Sequence, residues 1–137
     1  MVVILLIITA LLWGITPILE KMGLEKVDPL IGVTIRSTIV TAGLFFLIFL
    51  LGKGKALMEM DGKSFLLFGI SGLMSGLLGM WTYFTVLKME ATSKIVPIAA
   101  SYPLVTAVLS FFILKEGLTL PRVIGTVLIV VGIWFVK

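Results

Sequence analysis

Neither cysteine nor histidine occurs among the 137 residues. Disulfides, Cys/His metal sites, Ser/His/Asp triads and Cys/His dyads are therefore excluded, and no metal or cofactor is expected. Charge is also scarce: 11 Lys and Arg against 7 Asp and Glu make up 13% of the residues. The resulting +4 is spread along the chain and not gathered in a basic tail, so nucleic-acid binding has no footprint. Long polar stretches are lacking too. The breaks between apolar runs are only about six to twelve residues long, so no extramembrane domain exists to house a soluble activity. Covalent catalysis is not expected.

What is present is apolar surface. Hydrophobic residues make up 60% of the chain, with a mean hydropathy of +1.26. A soluble domain cannot hide so much, so the expectation is an all-α integral membrane helical bundle forming one domain over residues 1–137. Helices are close to forced, because backbone facing lipid must satisfy its own hydrogen bonds and the segments are too long for barrel strands.

Five apolar segments lie between four breaks, predicting five transmembrane helices. The first runs from Val2 to about Met22, with Trp13–Gly14 and Pro17 in its second half. Met1 leads directly into it without a basic stretch or an Ala-x-Ala cleavage pattern, which reads as a retained helix and not a signal peptide. The second, about Leu30–Leu51, opens at Asp28–Pro29 and carries Arg36 some two turns in. A Lys- and Gly-rich break (Gly52–Lys63) precedes the third, about Ser64–Leu87. The fourth, Ile95–Leu114, is bounded by Lys94 and Lys115 and contains Pro97 and Pro103. Its length suits a hydrocarbon core, which takes about 20 helical residues to cross. Pro103 lies well inside it, beside Ser101, Tyr102 and Thr106, so a break there leaves polar groups near mid-membrane. Such a break serves either a packing kink or a solute site. The fifth, Val123–Val136, is short for a crossing, though Leu118–Leu120 can extend it; an interfacial last segment, leaving four crossings, stays open.

With five crossings, one side of the membrane receives Lys53, Lys55, Lys63, Lys115 and Arg122. The other receives Lys21, Lys26, Lys88, Lys94 and Lys137, with Arg36 near the same end. The positive-inside rule then selects neither orientation. An odd helix count also puts the termini on opposite faces. Two oppositely inserted copies would make a ten-helix assembly with a two-fold axis in the membrane plane, the inverted-repeat plan of many transporters. An antiparallel homodimer is the expectation; the competing one is a single topology set by features the count misses.

Thr9, Trp13, Thr16 and Glu20 recur at spacings of four, three and four, giving the first segment a polar stripe. Polar stripes in membranes seldom face lipid, so this one is read as cavity lining. Tyr102, Thr106 and Ser110 form a second, and Trp81 and Tyr83 supply either aromatic walls or an interfacial belt. The substrate-binding set is thus Thr9, Trp13, Thr16, Tyr83, Tyr102 and Thr106. Glu20, Lys21 and Arg36 are the ionisable residues near membrane depth, read as a gate or an ion pair. Arg36 is placed to pair with Glu20 or to receive a substrate carboxylate. Gly69, Gly72, Gly76 and Gly79, and more weakly Gly125 and Gly132, are read as helix-packing positions. No acid lies at mid-membrane.

Several of these residues fall in recognisable order. Tyr83 through Ala91–Thr92–Ser93, then Ser101–Tyr102–Pro103, Leu114–Lys115–Glu116–Gly117–Leu118–Thr119, Ile124–Gly125 and Leu128–Ile129–Val130–Val131–Gly132 resemble the second half of an EamA-type domain of the drug/metabolite transporter superfamily. Trp13–Gly14 with Lys21, and Arg36, resemble its first half. The resemblance implies a helical solute carrier with a central cavity, often an exporter of amino acids, metabolites or drugs. Most members carry two such five-helix domains in tandem; a single one makes a dimer the natural inference. The small multidrug-resistance relatives pair antiparallel, but have four helices and an acid within the first. Here that depth is Ile8–Trp13, so their proton-coupled cation mechanism is not carried over.

The expectation is a multi-pass transporter of the plasma or inner membrane. It moves a small organic solute by alternating access, its partners being the lipid bilayer and a second copy of itself. The alternatives are a flippase-like carrier of an amphipathic or lipid-linked molecule and a non-transporting membrane assembly partner.

Overall fold

A computed structural model describes every residue except Leu118 and Lys137, with Arg122 described by its backbone alone. The readings that rest on Leu118 (extension of the fifth segment and part of the family pattern) and on Lys137 (the charge count) lie outside the described residues. Among the described residues the chain is helical and has no strand: α1 (Val2–Gly23), α2 (Pro29–Leu50), α3 (Gly54–Met58), α4 (Gly62–Ser71), α5 (Met80–Met89), α6 (Thr92–Ala99), α7 (Tyr102–Leu109) and α8 (Leu120–Val136). A π-helical segment, Gly72–Gly79, joins α4 to α5, and a second, Ser110–Leu114, follows α7. Val2–Gly23, Pro29–Leu50, Gly62–Met89 and Thr92–Leu114 are long and apolar enough to cross a membrane. α8, with 17 residues, is about 25 Å long at 1.5 Å per residue, a little under the ~30 Å hydrocarbon core. The protein is thus a helical membrane protein, with four full-length apolar rods and a fifth, shorter one among the described residues.

Local chemistry sets the boundaries. Asp28 caps α2, its Oδ1 accepting from the amides of Leu30 at 2.9 Å and Ile31 at 3.4 Å, while Pro29 fills the first helical position, where no donor is needed. α2 stops in a Schellman turn. Gly52 has φ +64°, its amide donates to Phe49 O at 3.1 Å, and the Lys53 amide donates to Ile48 O at 2.9 Å. Asp61 caps α4 by accepting from the Ser64 amide at 3.0 Å. Pro103 does not sit inside a continuous helix: the chain turns at Ala100–Ser101, and the proline falls in the first turn of α7, where its missing N–H is tolerated. Lys115 ends the second π segment in the left-handed region at φ +55°.

The chain divides into two compact units, Met1–Met89 and Glu90–Lys137. In the first, α2 lies along α5, and α1 also meets α5. A small cluster of Leu24, Val33, Phe84 and Leu87 is buried there, with Met80 and Tyr83 packed on it. The helices meet closely because of Gly32. A Cβ added there would stand 3.3 Å from Leu24 Cδ2 and from Phe84 Cδ2 and Cε2. Most other large apolar side chains are exposed, which water would penalise heavily but lipid does not. In the second unit α8 packs along both α6 and α7.

Hydroxyls follow the same solvent logic. Thr9, Thr16, Thr34, Thr38, Ser75, Thr85 and Thr106 each donate to the backbone carbonyl four residues earlier, at 2.7–3.2 Å. Each donor is thereby satisfied without leaving its own helix.

Gly32→Val is expected to lower the stability of the detergent-solubilised protein by about 1–3 kcal/mol through overpacking. Gly43→Ala on the same helix, where an added Cβ meets nothing within 4 Å, is expected to be neutral or stabilising by up to ~1 kcal/mol. Thermal melting of the two variants checks this; equal losses would remove the close approach at Gly32. A pH effect follows from Asp61, whose carboxyl is held below the usual aspartate range by hydrogen bonds from the Ser64 side chain and backbone amide. Because its folded value is depressed, the cap contributes fully above the unfolded value of about 4. The contribution is lost as pH falls through the folded one. The stability gap between wild type and Asp61→Ala, followed by melting from pH 6 to 3, is expected to close on acidification.

Candidate solute-binding site

The last turn of α1 and the second turn of α2 face each other across the buried cluster. Leu24 leaves α1 and Val33 anchors α2, so Glu20 and Arg36 are carried to the same end of the first unit. Arg36 Nε lies 3.3 Å from Glu20 Oε1, with the arginine side chain 42% and the glutamate side chain 10% exposed. Distance makes this an ion pair. Alignment does not make it a hydrogen bond, for Oε1 is buried with no hydrogen-bond partner. Both groups line a cavity of about 410 Å³ with Thr16, Leu19, Gly23, Leu24, Val27, Gly32, Ile35 and Phe84. A volume of that size suits a small organic molecule. The walls are apolar apart from the pair and the Thr16 hydroxyl.

Beside it, two lysines close the bundle end. Lys21 Nζ donates to Leu87 O at 2.6 Å and Lys88 O at 3.2 Å. Lys88 Nζ donates to Val27 O at 2.8 Å. Each ammonium thus sits on backbone carbonyls of another element, and Lys21 meets those at the C-terminal end of α5, where a positive charge is favoured.

The candidate residues named from sequence distribute as follows. Thr16, Glu20 and Arg36 come together in this cavity; Thr9 and Trp13 are not among its lining residues, and Trp13 stands 65% exposed on α1. Tyr83 packs on the buried cluster, its ring centroid 6.3 Å from that of Phe84. In the second unit Tyr102, Pro103, Thr106 and Ser110 line another cavity, of about 480 Å³, with Gly125, Thr126 and Ile129 opposite. A Cβ added at Gly69, Gly72, Gly76, Gly125 or Gly132 would meet nothing within 4 Å. At Gly79 the added atom would lie 3.1 Å from Met74 O.

Two features went unread in the sequence. Gly32 is the glycine across which helices meet, and as a single residue outside any stripe it carried no periodic signal. The second is a hydroxyl row on α2, Thr34, Ser37, Thr38 and Thr41, lining a groove of about 670 Å³ against Gly72 and Gly76. Its spacing of three, one and three is a helical face that the periodicity could have shown.

Several apolar rods of crossing length in one chain define a multi-pass membrane protein. The profile of the EamA-like transporter family matches residues 1–137, and the chain belongs to that family. It is a membrane transporter of a family that comprises transporters, not enzymes. It is 31% identical over 131 residues to an uncharacterised protein of Methanocaldococcus jannaschii, covering 96% of this chain and 92% of that one. It is also 26% identical over 132 residues to the uncharacterised transporter YoaV of Bacillus subtilis, covering 96% of this chain but 44% of YoaV. No solved structure matches.

Lys21→Met removes the hydrogen bonds to Leu87 and Lys88 and is expected to cost about 1 kcal/mol. Thermal melting in detergent should show the loss, and Lys26→Met, on an exposed loop residue, should not.

Proposed function

We propose that the protein carries small organic solutes across the plasma or inner membrane by alternating access, working as an antiparallel homodimer. The observation that carries this is the Glu20–Arg36 pair. Ionisable residues inside membrane helices are costly and are kept where they face a bundle interior or a water-filled cavity, and this pair lines a cavity of about 410 Å³. Glu20 and Arg36 form the gate at one mouth of the passage, with Lys21 bracing the helices beside it. Thr16 lines that cavity from the first helix, and in the second unit Tyr102 and Thr106 line a cavity of their own. A Cβ added at Gly69, Gly72, Gly76, Gly125 or Gly132 would meet nothing within 4 Å, although Gly72 and Gly76 line the groove beside α2 and Gly125 the cavity of the second unit. Open small-residue faces are what close helix–helix approach requires, and a second copy supplies the other side. The basic residues, five on one side and five or six on the other, support insertion in both senses.

Purified protein in liposomes is expected to pass amino acids or related metabolites. Thr16→Leu and Thr9→Leu should lower that flux several-fold without changing insertion. Wild-type flux from both variants would exclude the α1 stripe from the passage. Single cysteines at Lys55 and at Lys26 are each expected to react with a membrane-impermeant thiol reagent in about half of the copies. Labelling of one loop in every copy and of the other in none would exclude dual insertion.

A further inference from the structure

The span Gly62–Met89 changes its winding midway. α4 and α5 are α-helical, but between them Gly72–Gly79 is wound as a π-helix for eight residues, and the Met80 amide at its end donates to Ser75 O, five residues back. π-helix is mostly confined to single turns and is frequent at functional sites, so a segment of this length calls for a physical reason. Its C-terminal end has two local supports. At Gly79 an added Cβ would stand 3.1 Å from Met74 O, again five residues back, whereas at Gly72 and Gly76 it would meet nothing within 4 Å. Glycine at 79 thus lets the wide winding close. The Thr82 hydroxyl donates to Leu78 O and to Gly79 O, each at 2.9 Å, and so serves carbonyls where the two ladders meet. The flanks are held unequally. Phe84 and Leu87 of α5 are buried in the cluster against α2, with Met80 and Tyr83 packed on it, whereas none of the described residues of α4 is buried. A change of winding therefore turns α4 and the π segment about a fixed α5.

We propose that Gly72–Gly79 is a winding switch that opens and closes the hydroxyl groove of α2. The groove is open in the π winding, with Gly72 and Gly76 facing Thr34, Ser37, Thr38 and Thr41. An α-helix takes about 3.6 residues per turn and an i→i+5 ladder a little over four. Counted back from Met80, rewinding as α turns Gly76 by roughly 70° and Gly72 by roughly twice that, away from the hydroxyl row. The same rotation carries Leu73, now 61% exposed, onto the face the glycines present, and turns Leu77 further onto it. Two leucines in place of two glycines fill the groove of about 670 Å³. The sequence holds the pattern of this second state: Gly69, Gly72, Gly76 and Gly79 form one stripe only at α-helical spacing. Both ladders close within the helix, so neither leaves a run of amides facing lipid, and the exchange is open to a segment in hydrocarbon. Its use in carrying a solute rests on the transporter reading above; the switch itself is a property of the chain.

The chain has no cysteine, so introduced pairs report the winding without background. The test uses the full-length protein in liposomes. Thr41→Cys with Gly76→Cys is placed to link across the groove in the π winding, and Thr41→Cys with Leu73→Cys in the α winding. Oxidation is expected to link both pairs, the first to the greater extent. Gly79→Ala, which sets a methyl against Met74 O, and Thr82→Val, which removes the hydroxyl, should each raise the second link several-fold at the expense of the first. Gly69→Ala, in α4 and with nothing within 4 Å of the added Cβ, should leave the ratio unchanged and controls for the extra methyl. A ratio that stays at the wild-type value in both Gly79→Ala and Thr82→Val would overturn the proposal. A second measurement keeps the native residues at 79 and 82 and so does not depend on how those variants fold. Linking Thr41→Cys to Gly76→Cys should stop solute flux, and reduction should restore it; flux that persists through complete linking would likewise overturn the switch as a moving part. Absence of flux before any linking would remove the transporter reading, and the ratio of the two links would still decide the switch.

Discussion

The approach of α2 to α5 at Gly32 is the contact on which the first unit depends. There three elements press on one another: the turn after α1 through Leu24, α2 through Gly32 and Val33, and α5 through Phe84 and Leu87. In lipid the remaining apolar surface exerts little pull between helices, because the tails are as apolar as the side chains. Association must come from close packing and polar bonds. The glycine supplies the first, and the lysine contacts to Leu87, Lys88 and Val27 supply the second. The Glu20–Arg36 pair therefore lies at the end of the unit where the helices are held in place, while the far ends of α1 and α2 are bounded mainly by exposed side chains.

That placement gives the site its physical character. A carboxylate and a guanidinium on loosely held helices would drift apart or reach water. Here the same cluster that buries Phe84 sets the spacing between the last turn of α1 and the second turn of α2. The spacing of the pair is thus set by packing beside it and not by the pair alone. Thr16 is a modest further contributor, since its hydroxyl already donates to Leu12 O at 2.7 Å and offers a ligand only its lone pairs.

Much of this was legible in the chain itself. Membrane class and helix type followed from the apolar runs, and the rods begin and end within a few residues of the expected limits because Asp28–Pro29, Gly52 and Asp61 carry their boundary chemistry locally. The family was readable from short patterns such as Leu114–Lys115–Glu116–Gly117. What stayed hidden depends on winding or on tertiary approach. The glycine row from Gly69 to Gly79 was read with α-helical spacing, yet Gly72–Gly79 follows an i→i+5 ladder, in which residues spaced for an α-helix drift off the shared face. Gly72 and Gly76 accordingly line the groove beside α2, whereas Gly79 is not among its lining residues. Gly32 could not be singled out from 14 glycines without knowing that Phe84 would arrive opposite it.

The turn at Ala100–Ser101 has a consequence for the surrounding bilayer. In an unbroken helix the carbonyl of Ala99 would accept from the residue four positions on, and that residue is Pro103, which has no proton to give. Hydrocarbon cannot replace the lost donor. Protein or water must reach this point for the segment to reside in the membrane. A partner for that carbonyl is a condition of the fold itself, whatever solute is carried.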